Sequence, residues 1–405
     1  MSKKSINVPN LRFPGFEGEW ERQKLGEIAE FSKGKGISKS DVDENGETEC
    51  IRYGELYTHY GEVIAEIKSR TNINRENLVF SEANDVIIPS SGETQIDIAT
   101  ASCVLKSGVA LGGDLNIIKT PNNGVFLSYY LNSRKKLEIA NLAQGISVVH
   151  LYASQLALLE VAIPDVKEQN RIANFLALLN KRINTQNKII EELKLLKSYL
   201  NRKIFTRQLR ISQLKEKWRK IRLGEISTRI STKNKELNQN VLTISAQFGL
   251  ISQLDFFNKS IASKDISGYY LLQKGDFAYN KSYSSGYPMG AIKKLNYYDK
   301  GVVSTLYICF RFSNDINSKF MEQYFESGIH NVEIEKIAQE GGRNHGLLNI
   351  GISDFFDIQV YLPGIEEQNR IANFLSSVGE KIETEKKILQ QYESQKKHLL
   401  QNMFM

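Results

Sequence analysis

The sequence is poor in cysteine and has no long apolar run. Cys50, Cys103 and Cys309 are its only cysteines among 405 residues, and no two of them form a CxxC pair. An odd number of scattered cysteines argues against a disulfide framework and against a structural zinc site. The first five residues lack the apolar core of a signal peptide, and no apolar run reaches the ~20 residues that span a bilayer. We therefore expect a protein of the reducing cytoplasm with no membrane partner.

Common catalytic motifs are missing as well. The chain has no GxxxxGK[ST] phosphate loop, no HExxH, and neither the Asn-Pro-Pro-Tyr nor the Asp-Pro-Pro-Tyr tetrapeptide of amino-methyltransferases. Its five histidines are scattered without metal-ligand spacing. Pro164-Asp165 followed by Lys167 faintly resembles a nuclease motif, but a turn that starts a helix explains it better. These absences favour a reader or a scaffold over a catalyst, with no metal site on this chain.

The charge balance is basic. Lysine and arginine number 53 against 46 aspartates and glutamates, which gives a net charge of +7 and a pI near 9.0. Such an excess suits a polyanionic partner, although a basic surface without any partner is the alternative interpretation. A basic run between residues 202 and 222 could follow phosphates or could complement a helix dipole.

A long internal repeat organises the chain. The nine residues from Glu168 to Leu176 recur letter for letter from Glu367 to Leu375, 199 positions later. Trp20 with the following Leu-Gly-Glu-Ile recurs at Trp218, 198 positions later. The duplication therefore covers whole domains, and each copy of the unit ends in a helix.

The two repeated helices carry a heptad seam, whose steps alternate four and three residues. Eight of ten seam positions are apolar in each copy, and the polar exceptions match, Gln186 with Glu385 and Lys197 with Lys396. We predict that the helices pair antiparallel along this seam, whereas the alternative is two amphipathic helices lying on globular domains. The residues predicted to form the pairing seam are Leu176, Leu179, Ile183, Ile190, Leu375, Val378, Ile382 and Leu389.

The predicted fold class is α+β, with two mixed α/β domains separated by two long helices that form an antiparallel coiled coil. The order of these parts implies an internal pseudo-twofold axis and a domain at each end of a rod of roughly 60 Å. The ends of the two domains match in sequence while their middles diverge, which indicates one scaffold with two different surfaces. The predicted division is 1–166 and 208–365 for the domains, with 167–207 and 366–405 for the helices.

Three polar segments are candidates for reading DNA. Polar side chains at such loops can donate to or accept from base edges, since arginine favours guanine and asparagine favours adenine. Ordinary polar turns are the alternative interpretation for each residue. The predicted base contacts are Ser90, Ser91, Glu93, Thr94, Ser282, Tyr283, Arg343, Asn344 and His345, and the predicted phosphate contacts are Lys33, Lys35 and Lys281.

The chain resembles the specificity subunit of type I restriction–modification systems over essentially its whole length. The resemblance rests on the opening from Leu11 to Phe16 with Trp20, on the Pro-to-Glu-Gln exits at residues 163–169 and 362–368, and on the two long helices. It implies a non-catalytic subunit whose two domains each read one half of a split sequence in double-stranded DNA. It also implies that the paired helices set the spacer and dock two methyltransferase subunits, with restriction and translocase subunits joining through the complex. S-adenosylmethionine, ATP and Mg²⁺ would then belong to the partner subunits.

A rival hypothesis is a coiled-coil scaffold that assembles proteins without binding nucleic acid. Duplex binding that discriminates between sequences and weakens steeply with salt distinguishes the two. A fragment of a single-chain restriction enzyme is a weaker third hypothesis, because the catalytic motifs are absent.

Overall fold

The computed structural model describes residues 7–145, 147–211, 217–245, 249–257, 265–284, 286–338 and 348–405. The chain divides into two compact units. Unit 1 comprises Met1–Asn187 with Lys387–Met405, and unit 2 comprises Lys188–Lys386. Each unit therefore combines one mixed α/β domain with parts of both long helices. No helix in the described ranges is long and apolar enough to cross a bilayer.

The first half of the chain contains twelve described strands and ends in a long helix. Its strands are β1 (Glu21–Lys24), β2 (Glu30–Lys33), β3 (Thr48–Ile51), β4 (Val63–Ile64), β5 (Ser69–Thr71), β6 (Val86–Pro89), β7 (Ser91–Gly92), β8 (Ser102–Val104), β9 (Ala110–Leu111), β10 (Leu115–Lys119), β11 (Val149–His150) and β12 (Glu160–Ile163). Its helices are α1 (Glu55–Thr58), α2 (Gln95–Ile98), α3 (Gly124–Tyr130), α4 (Lys136–Leu142), α5 (Ala153–Ala157) and α6 (Val166–Phe205), with 3-10 turns at Leu25–Glu27, Lys39–Asp41 and Arg75–Asn77 and a π-helix at Leu131–Lys135.

The second half repeats this order with different residues. Its strands are β13 (Arg219–Arg222), β14 (Ser227–Ile230), β15 (Leu242–Ser245), β16 (Gly249–Ser252), β17 (Tyr270–Gln273), β18 (Phe277–Asn280), β19 (Ala291–Lys294), β20 (Lys300–Val303), β21 (Ile308–Phe312) and β22 (Gln359–Leu362). Its helices are α7 (Leu223–Ile226), α8 (Gln253–Phe257), α9 (Ser318–Glu326), α10 (Asn331–Ile337), α11 (Ile352–Asp357) and α12 (Ile365–Asn402).

The central sheets of the two units share their strand order. The sheet of unit 1 runs β2-β10-β6-β8-β4, and that of unit 2 runs β14-β21-β18-β19. The middle strands β6 and β18 are almost entirely buried. Their sequences are therefore mainly apolar and do not alternate between apolar and polar residues. A separate antiparallel pair, β1 with β12 and β13 with β22, joins the start of each domain to the strand before its long helix.

The two predicted long helices are confirmed, and so is the predicted fold class. Helices α6 and α12 have 40 and 38 residues, and they run antiparallel within each unit. In unit 1, Leu176 shares a core with Leu399, and the Arg182 Nε donates to the Tyr392 hydroxyl at 2.8 Å. In unit 2, Ile204 shares a core with Leu375. Every heptad seam position in both helices is buried or half-buried.

The end of each domain is closed by a matched aromatic cluster. In unit 1, Phe404 near the end of the chain lies 5.4 Å from Phe126 and 6.5 Å from Trp20, centroid to centroid. In unit 2, Phe205 lies 5.2 Å from Phe320 and 6.1 Å from Trp218. Each cluster is completed by a tyrosine one turn further along the domain helix, Tyr130 in unit 1 and Tyr324 in unit 2. The residues that follow α12 therefore serve unit 1 as the last turn of α6 serves unit 2.

The repeated Glu-Gln-Asn sequence ties each long helix to a second helix. Gln169 Oε1 accepts a hydrogen bond from the Asn123 N–H at 2.9 Å, and Asn123 is the N-cap of α3. Gln368 Oε1 accepts from the Asn317 N–H at 3.0 Å, and Asn317 is the N-cap of α9. Identical letters recur here because both units use the same buried hydrogen bonds.

The segment at Pro164-Asp165 starts a helix. The Asp165 carboxylate accepts from the backbone N–H groups of Lys167 at 2.8 Å and Glu168 at 3.0 Å. These bonds satisfy N–H groups that the first turn of a helix leaves without partners. The predicted helix start at this segment is confirmed.

Candidate nucleic-acid interface

Two of the predicted segments of unit 1 meet at one end of its central sheet. The loop at residues 33–36 and the loop at residues 90–94 both contact the turn at residues 111–115. The backbone bonds that join them are Gly34 N–H to Leu115 O (3.0 Å), Lys35 N–H to Leu111 O (2.9 Å), Gly113 N–H to Gly36 O (2.8 Å) and Ser90 N–H to Asp114 O (2.8 Å).

Glycine is required at the centre of the first loop. A Cβ atom on Gly34 would lie 2.0 Å from the Gly112 carbonyl oxygen, so any side chain there would displace the loop. Lys33 and Lys35, on either side, are both exposed. The segment is thus a positioned loop with two exposed cations. Such cations suit phosphate contacts, which remain a prediction.

The four predicted residues of the second loop differ in exposure. Ser90 and Ser91 are buried, and Ser91 lies on strand β7 opposite His150. Glu93 and Thr94 are exposed. Thr94 is the N-cap of α2, because its hydroxyl accepts from the Asp97 N–H at 3.1 Å. Base contact by this loop stays a prediction, and its exposed side chains are Glu93 and Thr94.

The corresponding loop of unit 2 follows the matched strand β18. Lys281 and Ser282 are half-buried there, whereas Tyr283 is 66% exposed. The backbone is held by the Ser282 N–H, which donates to Asn280 Oδ1 at 3.1 Å, and by the Lys281 carbonyl, which accepts from the Leu348 N–H at 3.0 Å. Contact of this loop with DNA too remains a prediction. Arg343, Asn344 and His345 lie outside the described residues.

Sequence inspection missed a polar cleft of about 860 Å³ in unit 2. Lysines from α6, α12 and β19 line it together with glutamates of α9 and α12. Lys293 and Lys294 are buried on β19, where they pair with Glu326 at 2.5 Å and Glu322 at 3.7 Å. Residues from five separate elements contribute, so no local spacing in the sequence could reveal the cleft.

Comparison with known proteins places this architecture in a family. The model of the type I restriction modification DNA specificity domain matches the chain twice, at residues 17–195 and 215–394. The chain therefore belongs to the family of type I restriction–modification specificity subunits and carries two target recognition domains. The predicted resemblance is confirmed. The family is the DNA-recognition component of these systems.

Individual relatives are similar over nearly the whole chain. The Type I restriction enzyme MjaVIII specificity subunit of Methanocaldococcus jannaschii is 24% identical over 409 residues, which cover 94% of this chain and 91% of the relative. The crystal structure of a type I restriction-modification S subunit from M. genitalium superposes with a TM-score of 0.61 at 17% identity, covering 98% of this chain and 99% of that one. A chain from a structural study of complex assembly and conformational transition of the type I R-M system gives a TM-score of 0.53 at 16% identity, with 98% of each chain covered. The two structural likenesses concern the fold.

Proposed function

We propose that this chain recognises a bipartite DNA target, with one half read by each target recognition domain. Helices α6 and α12 set the distance between the half-sites and dock two methyltransferase subunits. The domains are 1–166 and 208–365, and the helices are 167–207 and 366–405. The observation that carries the proposal is a duplicated scaffold with different surfaces.

The shared parts of the scaffold are those that fix each domain on the helices. The aromatic clusters around Phe404 and Phe205 match in geometry, and so do the bonds from Asn123 to Gln169 and from Asn317 to Gln368. A protein that recognises two half-sites requires both domains to be attached to the helix pair in the same way. Misplacing either domain weakens DNA recognition strongly, because a base contact is lost when the protein side chain moves beyond hydrogen-bonding distance of the base.

The divergent parts are the loops and the outer strands. Unit 1 adds β4 to the edge of its sheet and a second sheet of order β5-β3-β9, whereas unit 2 carries the pairs β15-β16 and β17-β20. The proposed DNA contacts lie among these differences, at Lys33, Lys35, Glu93 and Thr94 in unit 1 and at Lys281, Ser282 and Tyr283 in unit 2. Two different loop sets imply two different half-sites.

The proposed docking surface lies on α6, away from the heptad seam. Leu195, Leu196 and Tyr199 are exposed on adjacent turns of this helix in unit 2. Exposed apolar side chains clustered on one surface are typical of protein–protein contacts. S-adenosylmethionine, ATP and Mg²⁺ are expected on the docked subunits.

A domain exchange tests the division of labour. Residues 220–360 are replaced by the equivalent segment of a divergent specificity subunit, and methylated bases are mapped in cells that carry the complete system. We expect one half-site to change and the other to stay, because the first domain is untouched. The reciprocal exchange of residues 20–160 is the matched control and should change the opposite half-site. A change in both halves after either exchange contradicts the proposal.

A matched deletion tests the spacer. Removing residues 185–191 from α6 together with 384–390 from α12 takes one heptad from each helix and keeps the seam in phase. One heptad is about 10 Å of helix, or roughly three base pairs. We expect spacer preference to shorten by that amount while both half-sites persist. Deleting the heptad from α6 alone is the control, and it should abolish recognition because the seam no longer matches.

A further inference from the structure

The cleft of unit 2 contains one lysine that differs from the others. Lys194 pairs with Glu191 at 2.7 Å and Lys386 with Glu383 at 2.7 Å, while the two lysines of β19 pair with glutamates of α9. Lys197 lines the same cleft and forms no ion pair with any described residue. It occupies a seam position and is half-buried. A cation that lines a polar cleft without a counter-ion is suited to an anion from outside the chain.

The matched lysine of unit 1 already has such an anion. Lys396, 199 positions after Lys197, places its Nζ 2.9 Å from Oε1 of Glu62. Asn180 Nδ2 donates to Oε2 of Glu62 at 3.0 Å and to the Tyr129 hydroxyl at 2.6 Å. The contacts from Lys396 and Asn180 hold the Glu62 carboxylate in place. The duplication therefore shows what one copy of this site accommodates, namely a single carboxylate.

Unit 2 differs from unit 1 in ways that open the site. Gly379 stands where unit 1 has Asn180, and a Cβ atom there would lie 3.2 Å from the Lys197 Nζ. Asn201 stands where unit 1 has the partly buried apolar Leu400. Asn201 is 6% exposed and lines the cleft, and its Oδ1 has no hydrogen-bond partner in the described part of the chain. A buried amide oxygen without a partner costs roughly 1–3 kcal/mol, which a ligand that donates an O–H or N–H to it would recover.

We propose that this cleft binds a carboxylate supplied from outside the chain, with Lys197 as its counter-ion and Asn201 Oδ1 accepting a hydrogen bond from an N–H or O–H group beside that carboxylate. A carboxylate is favoured over a phosphate because, among the described residues of the cleft, Lys197 alone offers an unpaired positive charge, whereas the other four lysines are paired with glutamates. The matched site of unit 1 holds the same functional group. The ligand is either an acidic side chain of a partner subunit or a free carboxylic acid.

Titration of the full chain with glutarate tests the site. Lysines are labelled with ¹³C at Cε, and the Lys197 resonance is identified by its loss in Lys197→Met. We expect glutarate to shift this resonance saturably, and Lys197→Met to weaken binding at least tenfold. Lys188→Met, on an exposed position of the same helix outside the cleft, is the control and should bind as the wild type. Inorganic phosphate should bind more weakly than glutarate.

Two further variants separate binding from folding. Gly379→Asp keeps Lys197 and places a carboxylate beside it, so glutarate binding should be lost in a folded protein. Glu62→Ala empties the site of unit 1, so glutarate should gain a second site that shifts the Lys396 resonance. Unchanged binding in Lys197→Met, tighter binding of phosphate, or no saturable shift in the wild type would each overturn the proposal.

Assembly with a methyltransferase subunit identifies the source of the carboxylate. This experiment rests on the proposed function, whereas the glutarate titration does not. If a partner's acidic side chain occupies the cleft, Lys197→Met weakens the complex at least tenfold and glutarate competes with assembly. If the natural ligand is a free carboxylic acid, the complex forms equally well in Lys197→Met while that variant still fails to bind glutarate.

Discussion

Arg12 binds the buried carboxylate of Glu168 through two parallel hydrogen bonds. Its Nε donates to Oε1 at 2.8 Å and its Nη2 donates to Oε2 at 2.6 Å, and Glu168 is fully buried. The same guanidinium donates to the carbonyls of Glu17 and Gly18. The first residues of unit 1 are thereby fixed to the first turn of α6. This pairing explains why the Leu11–Phe16 opening and the Glu-Gln exit belong to one sequence signature.

Replacing Arg12 with alanine should destabilise unit 1 strongly. The substitution leaves the Glu168 carboxylate buried without its counter-charge, a change that costs about 3–5 kcal/mol. Urea unfolding of the full chain measures the loss. Arg22→Ala removes an exposed arginine of β1 and should change stability by about 0.5 kcal/mol or less. The double variant Arg12→Ala/Glu168→Leu should recover part of the loss, and a purely additive double variant would contradict the assigned pair.

Phe404 should matter to unit 1 as much as Phe205 matters to unit 2. Each ring is buried among a tryptophan, a phenylalanine and a tyrosine of its unit, so truncation to alanine should cost about 3–5 kcal/mol. Thermal unfolding of Phe404→Ala and Phe205→Ala provides the comparison. Leu137→Ala, at an exposed position, is the control. A mild effect of Phe404→Ala alone would mean that the chain end does not close the first domain.

His330 should make stability depend on pH. Burial lowers the pKa of His330 to about 3, and neither ring nitrogen has a hydrogen-bond partner among the described residues. The unfolded chain binds a proton at this histidine below about pH 6.5 whereas the folded chain does not. Stability is therefore unaffected by His330 above that pH and falls below it, by about 2 kcal/mol between pH 6.5 and 5.

The variant His330→Leu isolates this contribution. Its free energy of unfolding should exceed that of the wild type by more at pH 5 than at pH 7.5, because leucine has no proton to bind. His59→Ala, at an exposed histidine, should retain the wild-type dependence. Parallel pH profiles for the wild type and His330→Leu would show that His330 is protonated in the folded state.

The exposed lysines of the first loop should contribute to affinity without contributing to sequence choice. Removing one phosphate contact lowers the slope of log K against log salt concentration by about 0.9. We expect Lys33→Ala and Lys35→Ala each to show this change in the assembled complex, for target and unrelated duplexes alike. Lys24→Ala removes an exposed lysine from β1 and should leave the slope unchanged. An altered half-site in either loop variant would instead assign base contact to that lysine.

Local patterns predicted the parts of the structure that are regular along the chain. The heptad steps predicted α6 and α12 because a helix presents every third and fourth residue on one face. The candidate loop at Ser90 and Ser91 was harder to judge, because the burial of these serines depends on β11 packing alongside β7, some sixty residues later.

The sequence alone determined the duplication, the two long helices and the family. Each of these depends on residues that are close together in the sequence or that recur at a constant separation. The tertiary structure decided which side chains meet across long separations. It placed Phe404 against Trp20, paired Glu62 with Lys396, and left Lys197 beside Gly379 in an open cleft. The physical reason is that charge pairing and burial depend on distances in space. Where the two copies of the repeat differ in sequence, the repeat does not specify those distances.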